Sequence, residues 1–133
     1  MSRVASGIAE MLKLLLDEHI SPSVAVGLRR RIPSIVACGL AEWEAGAFPG
    51  QDDATCLRHA ATHRWTMVTY DRRTIPPLLK IWTESGQDHG GVIFVDEKTI
   101  SPSDIGGQVR ALAALSREGA VWAWTDRVCF LGR

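Results

Sequence analysis

A chain of 133 residues is enough for one domain that buries most of the surface its unfolded form exposes, and it needs no second one. Hydrophobic residues at 46% and charged residues at 23% match globular proteins and argue against wholesale disorder. Basic and acidic side chains number 15 each and cancel, so nucleic acid would have to be held by a local groove rather than by bulk charge.

Residues 1–10 have neither the charged start nor the long apolar stretch of a signal peptide and read as an N-terminal extension. The folded pattern begins at Met11, itself a candidate start, and one domain is expected over residues 11–133. No apolar run approaches the roughly 20 residues of a membrane span. Cys38, Cys56 and Cys129 are odd in number, far apart and without a paired zinc spacing, so they read as reduced core thiols of a cytoplasmic protein.

Met11, Leu12 and Leu14 to Leu16 predict a buried strand with Asp17-Glu18-His19 directly after it. Ser21 is then a natural N-cap, Pro22 suits the first helical position, and Val24, Ala25 and Leu28 mark a buried face. Arg29-Arg30-Arg31 closes this helix where positive charge is favourable. Further strand-like runs lie at Ile35 to Cys38, Thr66 to Tyr70, Gly91 to Val95, Ala120 to Trp124 and Arg127 to Leu131, with Gly39 to Gly50 the longest irregular stretch.

Helical patterns fall between most of these runs. Leu57, Ala60, Ala61 and Trp65 recur at helical spacing from Asp53, and Leu78, Leu79, Ile81 and Trp82 suggest a helix started near Thr74 and Pro76. Ser101-Pro102-Ser103-Asp104 resembles a capping box, with Pro102 at the first helical position, ahead of Ile105, Val109, Leu112 and Leu115. Such β-α-β-α order argues for a mostly parallel sheet covered by helices on both faces. Only Thr125-Asp126 separates the last two runs, so they are expected to pair as an antiparallel hairpin, with Trp122 and Trp124 on one side of a strand.

Asp17 after the first strand, Asp53 at a helix start and Asp71 after Met67-Val68-Thr69-Tyr70 would then meet at the carboxyl edge of the sheet. Carboxylates gathered there repel one another unless a cation compensates, and oxygen ligands favour Mg²⁺ or Mn²⁺ over zinc. The same acids also suit plainer roles: Asp52 and Asp53 as helix caps, Asp71 as a turn former, Glu18 as a solvated rim residue. His59 and His63, four residues apart, have a metal-ligand spacing, but no glutamate-rich zinc motif surrounds them and exposed histidines are the simpler account.

The run Leu15-Leu16-Asp17-Glu18-His19-Ile20-Ser21, then Asp53 ahead of Leu57, Ala60 and Ala61, then Val68-Thr69-Tyr70-Asp71-Arg72, with Gly90-Gly91-Val92-Ile93-Phe94-Val95 as the next strand, resembles the PIN-like domain family of small bacterial proteins related to VapC-type toxin ribonucleases. The similarity spans roughly residues 11–131. It implies an α/β fold, a three-layer α/β/α sandwich, with Mg²⁺- or Mn²⁺-dependent cleavage of RNA, often as the toxin of a toxin–antitoxin pair. By the same resemblance Asp17, Asp53 and Asp71 are catalytic metal ligands, Glu18 is a fourth, and Ser21 or Thr69 provides hydroxyl support. A small antitoxin protein and a second copy of the chain are the implied protein partners.

The positions flanking the acids supply the substrate side: Arg72 and Arg73 beside Asp71 for phosphates, and His19 for substrate or a water. One departure stands out. PIN nucleases commonly present a fourth acid beyond the Thr-x-Asp triplet, whereas this chain continues Arg72-Arg73-Thr74-Ile75 and offers Asp96 only after the following strand. Two other classes therefore compete: a non-catalytic PIN-like module that binds a protein partner, and a receiver-like phosphoacceptor domain with Lys98 as its lysine.

Overall fold

The computed structural model describes residues 12–132, so the readings of residues 1–10 and Met11 lie outside the described residues. In chain order the elements are β1 (Lys13–Leu16), α1 (Pro22–Arg31), β2 (Val36–Gly39), a 3₁₀ turn (Trp43–Gly46), α2 (Asp53–Thr62), β3 (Thr66–Thr69), α3 (Ile75–Glu84), β4 (Val92–Val95), α4 (Ile105–Glu118), a second 3₁₀ turn (Gly119–Val121) and β5 (Val128–Leu131). The five strands form one sheet in the order β2-β1-β3-β4-β5. Every pairing is parallel.

Strand residues alternate between two cores, as a pleated chain requires. Leu14, Leu16, Val68, Ile93 and Val95 point to one face and pack with Val24, Ala25 and Leu28 of α1 and Val109, Leu112 and Ala113 of α4. Leu15, Met67, Val92 and Phe94 point to the other and pack with Cys56, Leu57 and Ala60 of α2 and Ile75, Leu79 and Trp82 of α3. A sheet buried on both faces explains why the β1, β3 and β4 runs are almost wholly apolar rather than alternating. This is the three-layer α/β arrangement expected from the alternating patterns.

Of the four helices described, three start on a side-chain cap, while α3 has none at Thr74 and carries proline in its first turn. Ser21 caps α1 by accepting the Ser23 N–H at 3.2 Å, with Pro22 in the first turn. Asp52 caps α2 through the Thr55 N–H at 2.7 Å, which leaves Asp53 as the first helical residue. For α4 the cap is Asp104, whose carboxylate accepts the Gly107 N–H at 2.8 Å, so the helix begins at Ile105. Ser101-Pro102-Ser103 instead forms the turn before it, and Pro102 is not its first residue.

The expected C-terminal hairpin does not form. Ala120 to Trp124 is not a strand: α4 runs on into the second 3₁₀ turn, Val121 is 86% exposed, and β5 lies parallel to β4. Trp124 turns inward instead, 5% exposed, and its indole N–H donates to the Gly119 carbonyl at 2.9 Å. Trp122 packs against it at a tilt, centroids 5.7 Å apart, outside any strand, and Arg127 covers both rings. An indole that finds both a core and an acceptor is better satisfied there than on a sheet edge.

The crossover into β5 has a further property. The steps β3 to β4 and β4 to β5 run in the same direction across the sheet, yet α3 and α4 lie on opposite faces. The last crossover is therefore opposite in hand to the other three, an arrangement that parallel sheets seldom adopt. As a result, among the described residues, the last crossover sets no helix on the α2/α3 face of β5, where Val128 and Phe130 are 42% and 50% exposed.

The entries to β4 and β5 are clamped together. The His89 N–H donates to Asp126 Oδ1 at 3.0 Å and the Asp126 N–H donates to the His89 carbonyl at 2.9 Å, with Asp126 held at φ 62°. Gly91, at φ 104°, lets the chain pass Trp124: a Cβ there would stand 2.7 Å from the Trp124 carbonyl oxygen. The buried His89 ring accepts the Gly91 N–H at Nδ1, 3.0 Å away, so it must be neutral at that nitrogen. Burial lowers the His89 pKa from its ordinary 6.5, against the opposing pull of Asp126 and Asp88.

Below the unfolded pKa the unfolded chain binds more protons at this histidine than the folded one, so its contribution falls as pH drops through about 6.5 and is restored above it. Urea midpoints of the wild type should therefore decrease between pH 7.5 and 5.5. A His89→Gln variant should show a flatter profile over that interval, and parallel profiles would assign the pH dependence to other groups.

Candidate active site

The strand order reverses direction between β1 and β3, and the crevice at the carboxyl ends of those two strands is where open parallel sheets place their ligands. Asp17 follows β1 and Asp71 follows β3 by two residues. Asp53 opens α2, and in a β-α-β unit a helix starts at the same edge as the strand before it ends. All three acids consequently sit at the carboxyl edge, with Glu18 beside them.

Asp17 is tied in on every side. Its backbone N–H extends the ladder to the Val68 carbonyl at 3.0 Å, its Oδ1 accepts the Glu18 N–H at 2.7 Å, and its Oδ2 accepts the Thr69 hydroxyl at 2.7 Å. That same Thr69 oxygen accepts the Asp71 N–H at 2.9 Å. Thr69 has no exposed surface, so one buried hydroxyl positions the acids of both strands. Asp71 Oδ1 also receives the N–H groups of Arg73 at 2.9 Å and Thr74 at 2.8 Å, which makes it the organiser of the turn into α3.

The electrostatics show that these acids share one field. Asp53 is half-buried, and its carboxyl pKa is raised by burial and then by Asp17, Asp71, Glu18 and Asp52. Burial works to raise Asp71 too, but the N–H donors of Thr74 and Arg73 outweigh it and, with Thr74's hydroxyl and nearby His19, hold it below the ordinary range. The buried Cys56 thiol is pushed up to about 11 by burial and by the same acids, led by Asp53. These side chains are hard oxygen donors of the kind that Mg²⁺ or Mn²⁺ takes, but among the described residues their carboxylates do not gather closely enough to form a ligand group as they stand.

The other sequence-predicted residues divide. Glu18 is exposed and accepts the Gly50 N–H at 3.4 Å from the loop after β2, a contact no sequence signal marks. His19 is exposed near Asp71. The Ser21 hydroxyl is engaged as the α1 cap. Arg72 and Arg73 are exposed beside Asp71, with the Arg72 guanidinium 5.5 Å from the Phe130 ring. Arg29 reaches the Ala37 carbonyl at 2.7 Å and Glu42 at 3.8 Å from the far end of α1, so the arginine triplet lies away from the acids.

Asp96 sits at the carboxyl end of β4 but builds a turn: its carboxylate accepts the Lys98 N–H at 3.3 Å and the Thr99 hydroxyl at 2.8 Å. It does not figure among the groups that raise Asp53. Lys98 follows β4, whereas the last strand ends at Leu131. The receiver-like reading therefore finds no lysine after β5 among the described residues, and it leaves Asp53 without a role. Sequence reading also missed an open cleft of about 420 Å³ next to Arg72, lined by Pro76, Leu79, Phe94, Val128 and Phe130.

Thr69→Val keeps the side chain's shape and leaves the Asp71 N–H and one Asp17 oxygen without their buried partner. It should destabilise the fold by about 1–3 kcal/mol in urea titration. Thr69→Ser retains the hydroxyl and should cost roughly 1 kcal/mol for the lost methyl; equal costs would mean that packing, not the bridge, fixes this position.

Comparison of the chain with protein-family models, with curated proteins and with solved structures gives no match.

Proposed function

We propose that the chain is a divalent-metal-dependent endoribonuclease of PIN-like type, acting as the toxin of a toxin–antitoxin pair. The observation that carries this reading is the Thr69 hydroxyl, which joins Asp17 to Asp71 at the switch point while both raise the carboxyl pKa of Asp53. Asp17, Asp53 and Asp71 would hold Mg²⁺ or Mn²⁺, with Glu18 at its rim. When bound, such an ion supplies positive charge that offsets the phosphate's and makes water more acidic.

The chain's own residues do the rest. Thr69 holds the Asp17 carboxylate and the Asp71 backbone, and the Arg73 and Thr74 N–H groups hold the Asp71 carboxylate, so less ordering of these two acids remains for the reaction. Burial and the neighbouring acids, which together raise the Asp53 carboxyl, set a cost that a bound cation would relieve. Arg72 and Arg73 flank Asp71 and provide the local positive charge that a chain of zero net charge otherwise lacks for RNA.

The non-catalytic binding module is supported by a different observation, the apolar cleft bounded by Arg72 and Phe130. Such a cleft suits a protein segment better than a phosphate chain. The two readings separate on metal. Manganese bound only by the folded state should raise the nuclease's unfolding temperature, by about 2.7 kcal/mol of added stability at a hundredfold excess over Kd, and the module requires no such effect.

Asp17→Asn removes one ligand charge with little change in volume. Cleavage of single-stranded RNA in Mn²⁺ should fall by about 100-fold or more, while stability changes by less than about 1.5 kcal/mol. Equal cleavage by wild type and variant would favour the binding module. Replacing both Arg72 and Arg73 by Ala should weaken RNA binding and reduce the slope of log affinity against log salt by about 1–2, since each lost phosphate contact removes about one released counterion. Stabilisation by manganese should persist in that variant, and an unchanged slope would locate the RNA path elsewhere.

A further inference from the structure

The last turn of α2 meets the tip of the loop that follows β2, and there a second group of ligand-type side chains gathers. His59 and His63 are one helical turn apart with ring centroids 4.3 Å from each other, and Glu44 Oε2 lies 2.6 Å from His59 Nε2. One ligand atom from each of Glu44, His59 and His63 falls within 4.8 Å of the other two. Glu44 and Ala45 are both left-handed, at φ 49° and 57°, a conformation unfavourable for side chains of this kind, and it is this bend that brings Glu44 to the helix.

A hydrogen bond joins Glu44 to His59, and the helical spacing sets His63 beside them, so three ligand-type groups share one spot. A wall of rings limits where that cluster can move: Trp43 and Phe48 stand 5.1 and 4.8 Å from the His59 ring, and Trp43 is itself buried against Trp65. Ligand distances of about 2.0–2.2 Å to a central ion require the three atoms to lie roughly 3–4 Å apart, which small rotations of the half-exposed His59 and exposed His63 and Glu44 achieve. Two imidazoles and a carboxylate are the donors of a borderline transition metal such as Zn²⁺, and three protein ligands leave positions for water.

We infer that Glu44, His59 and His63 form a transition-metal site that fastens the loop after β2 to the last turn of α2. It is separate from the acids at the sheet edge. Asp53 begins α2 and His63 follows its end, which puts them roughly 15 Å apart along the helix axis. The loop so fastened also carries Gly50, whose N–H reaches Glu18, so the ion at one end of α2 would steady a contact at the other.

The test uses the full chain with no histidine tag and Zn²⁺ itself as probe. Calorimetric titration at pH 7.5 in excess Mg²⁺ should show one Zn²⁺ per chain and a rise in unfolding temperature. His63→Ala, at an exposed position where folding is easily checked by circular dichroism, and Glu44→Gln, which keeps a hydrogen-bonding side chain, should each lower Zn²⁺ affinity at least tenfold. Asp17→Asn should leave it unchanged. At pH 5.5 binding should weaken in the wild type, because the imidazoles must be neutral to ligate. No saturable binding by the wild type, losses below tenfold in both cluster variants, or loss in Asp17→Asn with retention in His63→Ala would each overturn the assignment.

Discussion

One buried hydroxyl holds the carboxyl edge of this sheet together. Thr69 donates to Asp17 and accepts from the Asp71 N–H, so it joins the ends of β1 and β3 where the strand order reverses. The bridge satisfies a backbone N–H and a carboxylate oxygen that water reaches poorly, and unmade it would leave both exposed to the full cost of desolvation. It also spaces the two acids so that the third, at the start of α2, feels both. The field at the site is therefore a consequence of strand pairing: Leu14 to Leu16 lie in register with Thr66 to Val68.

Helix α2 connects most of what is functionally suggestive in the molecule. Its first turn offers Asp53 to the acids, its middle buries Cys56, Leu57 and Ala60 in the core, and its last turn meets the loop that carries Glu44. That loop departs from the carboxyl edge, packs Trp43 against Trp65 near the amino end of β3, and returns to place Gly50 against Glu18. An excursion of this kind is expensive in conformational entropy and is offset here by burial of Trp43 and Leu40.

The opposite hand of the last crossover shapes the other end of the sheet. With α4 packed on α1, the α3 side of β5 has no helix of its own among the described residues, and Val128 and Phe130 border an open cleft beside Arg72. An exposed edge strand with apolar side chains is normally avoided in a monomer. The cationic rim of that cleft adjoins Asp71, so the acids and the apolar cleft belong to one continuous surface.

Much of this was legible in the sequence because the signals were local. Apolar runs too continuous for a half-buried sheet gave the β1, β3 and β4 strands, Ser21-Pro22 and Asp52-Asp53 marked helix starts, and acids directly after strands fell at the one sheet edge that alternation of strand and helix allows. Thr69 as a hydroxyl support was an expectation of the family resemblance, since strand position alone does not say which groups its hydroxyl meets. The C-terminal segment was not legible: Ala120 to Trp124 has strand composition, and only the pocket beside Gly119 and Gly91 decides that Trp124 turns inward and that β5 runs parallel. The same holds for Glu44, fifteen residues from His59 and brought to it by two left-handed residues that composition does not announce. The sequence by itself determined the layers and the edge where the acids lie, because hydrophobic period and capping act over a few residues; the hand of the last crossover and the meeting of Glu44 with the histidines were decided by tertiary packing, because they depend on partners far apart in the chain.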